Sequence, residues 1–171
     1  AAWGDNTYGQ LNVPLAVSTL GDVVQIQCND YACAVLNARG QVYGWGSENY
    51  GGNVPSHIAQ LTDIVEISAS ASAFCARRRN GAVVAWGQGS YGGNVPAHIA
   101  SLTNIASVYG CYSGFCALQT SGTVVSWGTP AIAPAPALSN VVHVQGTEYA
   151  FCALQSSGSV YAWGDSAAGG A

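Results

Sequence analysis

The stretch AWGQGSYGGNVPAHIASLTNI, Ala85 to Ile105, decides the fold because the chain has already written it once. Gly44 to Ile64 reads GWGSENYGGNVPSHIAQLTDI, the same phrase 41 residues earlier. A Trp-Gly pair anchors each copy and recurs at Trp3, Trp45, Trp86, Trp127 and Trp163, at spacings of 42, 41, 41 and 36 residues. Self-similarity at such a period is the signature of a stacked or ring-like array, in which each unit buries its face on its neighbours.

Every unit has one grammar. The run before each later Trp-Gly (QVYGWG, AVVAWG, TVVSWG, SVYAWG) alternates Val, Tyr and Trp with small or polar residues, the period of a half-buried strand. A glycine opens it (Gly40, Gly81, Gly122, Gly158), as a tight hairpin requires. Ahead of that lie a second apolar run, containing YACAV, AFCAR, GFCAL or AFCAL, and a third, VVQIQ, IVEIS, IASVY or VVHVQ. After Trp-Gly come Tyr, Gly and NVP, whose proline suits an extended edge and predicts a fourth, short outer strand. HIAQLT and HIASLT are at most single helical turns. The expected fold is all-β: a β-propeller of four blades of roughly 40 residues, each with three to four antiparallel strands. It forms one domain over 1–171, with units at about 5–46, 47–87, 88–128 and 129–164.

AWGDNTYGQLNVP, Ala2 to Pro14, resembles the signature of the regulator-of-chromosome-condensation repeat superfamily. The short blade and the WG-x-N-x-x-GQ-x-x-VP form are most similar to the secreted, β-lactamase-inhibiting propellers. Relatives commonly have seven blades, so the four repeats here depart from the pattern. In the inhibitor-like relatives, rim loops with aromatic residues contact the partner, which the resemblance carries over to a loop position only. The AWGD at Ala2–Asp5 duplicates that at Ala162–Asp165. Residues after Asp5, including YGQLNVP, could therefore complete the last blade of the same molecule or of a neighbour.

Only 7% of residues are charged, against 49% apolar, and the four basic residues are Arg39, Arg77, Arg78 and Arg79. A net charge of −4 argues against nucleic acid, which needs a face of Lys and Arg. RRRNG reads as a solvated hairpin end. So little charge leaves little self-repulsion, which suits a chain that assembles or is covered. No window nears the ~20 apolar residues of a membrane helix, so no membrane span is expected. The initial Ala in place of Met reads as a processed mature chain, and six cysteines without a C-x-x-C pair point to an oxidising, extracellular or cell-surface setting.

Cys33, Cys75, Cys116 and Cys152 read as one repeat position, a small core residue. Cys28 and Cys111 each stand five residues upstream of a partner across a strand turn, which predicts disulfides Cys28–Cys33 and Cys111–Cys116. Cys75 and Cys152 are then left as buried thiols or, as the alternative, an intermolecular bridge.

Catalytic chemistry finds no support. His57 and His98 are one copied position, and His143 alternates with apolar neighbours, with no metal-type or general-base spacing beside them. The eight acids are scattered, and no nucleophile elbow or phosphate loop is present. The expectation is no enzyme, no metal and no cofactor.

What remains are surface features. Tyr8, Tyr50 and Tyr91 recur before a Gly turn, and Tyr31, Tyr112 and Tyr149 fall between first and second strands. They could stack on sugars or anchor a protein, or pack on their own blade's tryptophan. The Ala-Pro tract with Pro130, Pro134 and Pro136 replaces the YGGNVP segment, as a degenerate loop, a contact arm or a glycosylation segment. Two functions follow. One is an extracellular structural subunit that assembles end to end into a fibre or coat, with or without O-glycans. The other is a secreted protein- or carbohydrate-binding module.

Overall fold

The computed structural model describes residues 2–132 and 134–170. Its strands form four separate antiparallel sheets of three, each contiguous in sequence. Blade 1 holds β1 (Val23–Cys28), β2 (Ala32–Asn37) and β3 (Val42–Gly46). Blade 2 holds β4 (Ile64–Ala69), β5 (Ala73–Arg78) and β6 (Val83–Gly87). Blade 3 holds β7 (Ile105–Cys111), β8 (Gly114–Gln119) and β9 (Val124–Gly128). Blade 4 holds β10 (Val141–Gly146), β11 (Ala150–Gln155) and β12 (Val160–Gly164). The first strands line up in order, β1 against β4, β4 against β7 and β7 against β10. This is the four-bladed propeller arrangement that the repeat predicts.

The core lies between blades, not within them. Successive side chains of a strand point to opposite faces. Ala32, Ala34 and Leu36 of β2 therefore join Ile64, Ile67 and Phe74 of blade 2, while Cys33 and Val35 face the other way. Blade 2 repeats the device: Phe74 and Ala76 face back, Ala73 and Cys75 face forward onto Ile105, Val108 and Phe115. Middle strands are buried on both faces, which is why they read as unbroken apolar runs rather than as alternation.

The hairpin glycines do two jobs. Gly40, Gly81, Gly122 and Gly158 adopt φ of 77°, 80°, 79° and 87°. A Cβ on Gly40 or Gly81 would also stand 2.6 or 2.4 Å from the carbonyl oxygen of Thr62 or Thr103, at the entry to the next blade. At Gly158 nothing lies within 4 Å.

The outer element is not the expected fourth strand. After β3 and β6 the chain makes a 3-10 turn (Glu48–Tyr50, Gly89–Tyr91), then one α-helical turn, α2 (Ser56–Ala59) or α3 (Ala97–Ala100); α1 (Leu15–Ser18) is the equivalent near the N-terminus. Gly51 and Gly92, at φ 96° and 95°, end the 3-10 turns, and Pro55 and Pro96 have no N–H to give a ladder. Each α turn instead buries one residue, Ile58 and Ile99 in the cores between blades and Val17 against blade 1.

The cysteine reading needs two corrections. Cys33 is paired with Trp45 in register, as Phe74 is with Trp86 and Phe115 with Trp127, so Cys33 stands at the phenylalanine position and not with Cys75. Cys28 and Cys33 are directly opposed and form a disulfide. Cys111 and Cys116 do not: the β7–β8 register opposes Cys111 to Gly114 and Cys116 to Tyr109, and both remain buried thiols. Cys75 is also a buried thiol and Cys152 a half-buried one. Burial pushes the Cys75, Cys111 and Cys116 thiols up.

The N-terminal segment lies on blade 1 and not behind blade 4. Its Val13, Val17 and Leu20 pack on Cys33, Val35 and Trp45, as the connector of a preceding blade would. Ile26 is 58% exposed where Ile67 is 1%, and Val160 is 61% exposed where Val83 is 4%. The outward faces of the first and last blades are thus uncovered.

Candidate functional site: a tyrosine rim

The loops between first and second strands and the 3-10 turns after the third strands end on the same rim. Neighbouring loops are tied by a relay of backbone bonds: Asp30 N–H to Ala71 O, Ala71 N–H to Tyr112 O, and Tyr112 N–H to Thr147 O, at 3.3, 3.1 and 3.4 Å. The six tyrosines singled out by sequence all lie here, in two triplets. Tyr31 stacks on Tyr50 at 4.1 Å between ring centroids and takes the Tyr8 ring edge-on at 4.9 Å. Tyr112 meets Tyr91 at 6.0 Å and Tyr149 at 5.6 Å. These rings contact one another rather than the tryptophans, whose aromatic partners are Phe74, Phe115 and Phe151. Tyr91 also backs onto the core between blades 2 and 3. Asn29 positions the first triplet by donating to Tyr50 O and accepting from the Tyr31 and Ala32 amides.

Charge is segregated between the rims. Asp22, Asp63 and Glu66 are committed to Arg39, Arg78 and Arg77, at 2.9, 2.9 and 2.8 Å. The expected solvated RRRNG end is therefore mostly neutralised; only Arg79 is exposed and without an ion pair among the described residues. The other five carboxylates, Asp5, Asp30, Glu48, Glu148 and Asp165, belong to the loops and turns of the tyrosine rim. Withdrawal from water, then the charge of Asp30, raises the Tyr31 pKa; withdrawal among the rings does the same for Tyr112. A hydrogen bond to Glu148 is the first cause at Tyr149. This charge separation was missed from sequence, although each rim acid sits within a few residues of a Trp-Gly or of the Cys-Ala strand that faces it.

The inner strands carry a second unforeseen feature. The Gln25 amide donates to Ile67 O at 2.7 Å and accepts from Ile67 N–H at 2.9 Å, joining β1 to β4 as a peptide group would. Glu66 accepts from Val108 N–H at the next boundary.

The remaining candidates lie elsewhere. His57, His98 and His143 are exposed, the last edge-on to Tyr109 at 5.5 Å. No group of three or more His, Cys, Asp or Glu among the described residues could hold a metal ion. Among the described residues no helix is long and apolar enough to cross a membrane. In the Ala-Pro tract Pro130 and Pro134 are exposed and Pro136 half-buried, while Ile132, Ala135 and Leu138 pack on the core between blades 3 and 4. The tract is pinned along one side and is not a free arm.

Residues 23–51 and 64–92 match the Regulator of chromosome condensation (RCC1) repeat. The chain is thus a β-propeller that carries RCC1 repeats in two places. No curated protein sequence matches it. Among solved structures it is similar to Prp20p of Saccharomyces cerevisiae, described for its binding to Gsp1p and histones (TM-score 0.69, 19% identity, 95% of this chain and 52% of that one). It is also similar to the CRINKLY WD40 ectodomain of the Arabidopsis thaliana receptor kinase ACR4 (0.67, 19%, 95% and 57%). The receptor kinase CR4 ectodomain of Physcomitrella patens gives 0.62 and 19%, over 84% and 39%. At such identity the likeness shows the fold alone. The chain spans about half the length of the solved chains it matches.

Proposed function

We propose that this RCC1-type propeller is a non-catalytic binding protein that holds another protein on its tyrosine rim. One observation carries the reading: six tyrosines and five carboxylates share a rim, and the arginines lie away from it. Ring faces attract cations and carboxylates pair with guanidinium, so the partner is a basic segment. The binding described for Prp20p supports a protein partner over a glycan. The Cys28–Cys33 disulfide and the likeness to two ectodomains support an extracellular or cell-surface setting.

Calorimetric titration with an arginine-rich peptide, a glutamate-rich peptide and a neutral oligosaccharide tests this. Binding of the first alone, weakened at least about 10-fold in Tyr31→Ala/Tyr112→Ala, is expected. Binding indifferent to peptide charge, or unchanged in the double variant, would overturn the reading. Binding of the oligosaccharide alone would make the rim lectin-like.

The uncovered faces of blades 1 and 4 favour a second reading, a structural subunit that assembles through its ends into a fibre or coat. The exposed Pro130 and Pro134 would then carry O-glycans. Filaments by negative stain, with a mass above that of the polypeptide, are the expected result; uniform particles at the bare mass would contradict it.

A further inference from the structure

We infer that the outward faces of blade 4 and blade 1 are two halves of one interface, and that blade 4 of one copy docks on blade 1 of a second copy. This rests on the end-assembly reading and names its contact. The chain builds that contact three times within itself, always with the second and third strands of one blade laid on the first and second strands of the next.

The unused halves keep the residues the contact needs. At the positions of Leu36 and Val42, which are 3% and 2% exposed against blade 2, blade 4 presents Leu154 and Val160, 39% and 61% exposed. At the positions of Ile64 and Ile67, blade 1 presents Val23 and Ile26. Between them and the N-terminal segment runs an apolar groove of about 500 Å³, lined by Val23, Ile26, Val35 and Trp45 among others.

The hydrogen bonds agree. Ile64, Ile105 and Val141 each donate their backbone N–H to the hairpin glycine of the preceding blade, Gly40, Gly81 and Gly122, at 3.1, 3.0 and 2.9 Å. The next members of that series are Val23 as donor and Gly158 as acceptor, on the two outward faces. Gly158 has open space where its counterparts meet the following blade. The incoming β12 takes the place of the duplicated Ala2–Asp5, whose Trp3 is 86% exposed. A head-to-tail contact of this kind closes into a ring or continues as a filament.

Sedimentation of the full chain over a concentration series, with Ile26→Asp and Val160→Asp, tests the pairing. Both side chains are exposed, so neither change threatens the fold. The wild type should associate, and each variant should do so at least about 100-fold more weakly, because a carboxylate would enter an apolar contact. An equimolar mixture should stop at the dimer, since each variant keeps the half that the other lost. If the wild type associates and both variants do so equally, assembly lies elsewhere and this interface is overturned. If the wild type stays monomeric throughout, the end-assembly reading falls as well.

Discussion

The indole N–H of Trp86 donates to the carbonyl oxygen of Gly51 at 3.0 Å, and Gly51 closes the 3-10 turn that the preceding blade sends across the boundary. Trp127 holds Gly92 in the same way at 3.0 Å, and Trp45 holds Gln10 at 2.8 Å. Trp163 is the exception: its buried Nε1 has no hydrogen-bond partner among the described residues. The preceding connector is the Ala-Pro tract, which has no Tyr-Gly turn to offer.

That contrast predicts unequal costs for one chemical change. Trp86→Phe or Trp127→Phe loses packing and leaves a buried carbonyl unpaired, whereas Trp163→Phe loses packing and relieves an orphaned donor. Trp86→Phe should destabilise by about 1–3 kcal/mol more than Trp163→Phe in urea unfolding. Equal losses would mean the clamp contributes nothing.

The hairpin glycines should separate likewise. Gly81→Ala combines a left-handed φ with a Cβ 2.4 Å from Thr103 O, and Gly158→Ala has only the φ. The second should cost about 1–2 kcal/mol and the first clearly more. Thermal unfolding of the two variants side by side gives the comparison.

Alkylation of the unfolded, unreduced chain should label four cysteines, Cys75, Cys111, Cys116 and Cys152, and leave Cys28 and Cys33 unlabelled until reduction. Two labels would restore the Cys111–Cys116 bridge. In the native protein half-buried Cys152 should react first, because burial holds the other thiols protonated.

Tyr31, Tyr112 and Tyr149 bind their protons more tightly folded than unfolded. Their contribution to stability is complete below the ordinary tyrosine pKa and is lost as pH rises through the higher folded values. Absorbance titration should show late-ionising tyrosines, and stability should fall in the same alkaline window. Tyrosines that all titrate at the free value would contradict a shared, partly dry rim.

The sequence carried the architecture because the blade is copied: Trp-Gly, the hairpin glycine and the apolar middle strand each recur in step. It misled where one residue of offset mattered. Cys33 looks like Cys75 by its Cys-Ala neighbour, yet counting back from the tryptophan places it with Phe74. The same one-residue offset, applied to both Cys111 and Cys116, separates the disulfide that forms from the pair that does not. The tyrosines were legible as candidates, but their joining into triplets depends on loops from adjacent blades meeting, which no local pattern encodes. The two uncovered faces were hidden for the same reason, because their residues match those buried between blades.

The binding rim is tested most directly by mapping amide resonances of the labelled chain during titration with the arginine-rich peptide. Shifts gathered at residues 29–31, 48–50, 89–91, 112 and 147–149, with the opposite hairpins at 38–41 and 79–82 unmoved, are the predicted result. Shifts spread evenly over both rims, or centred on the hairpins, would contradict it.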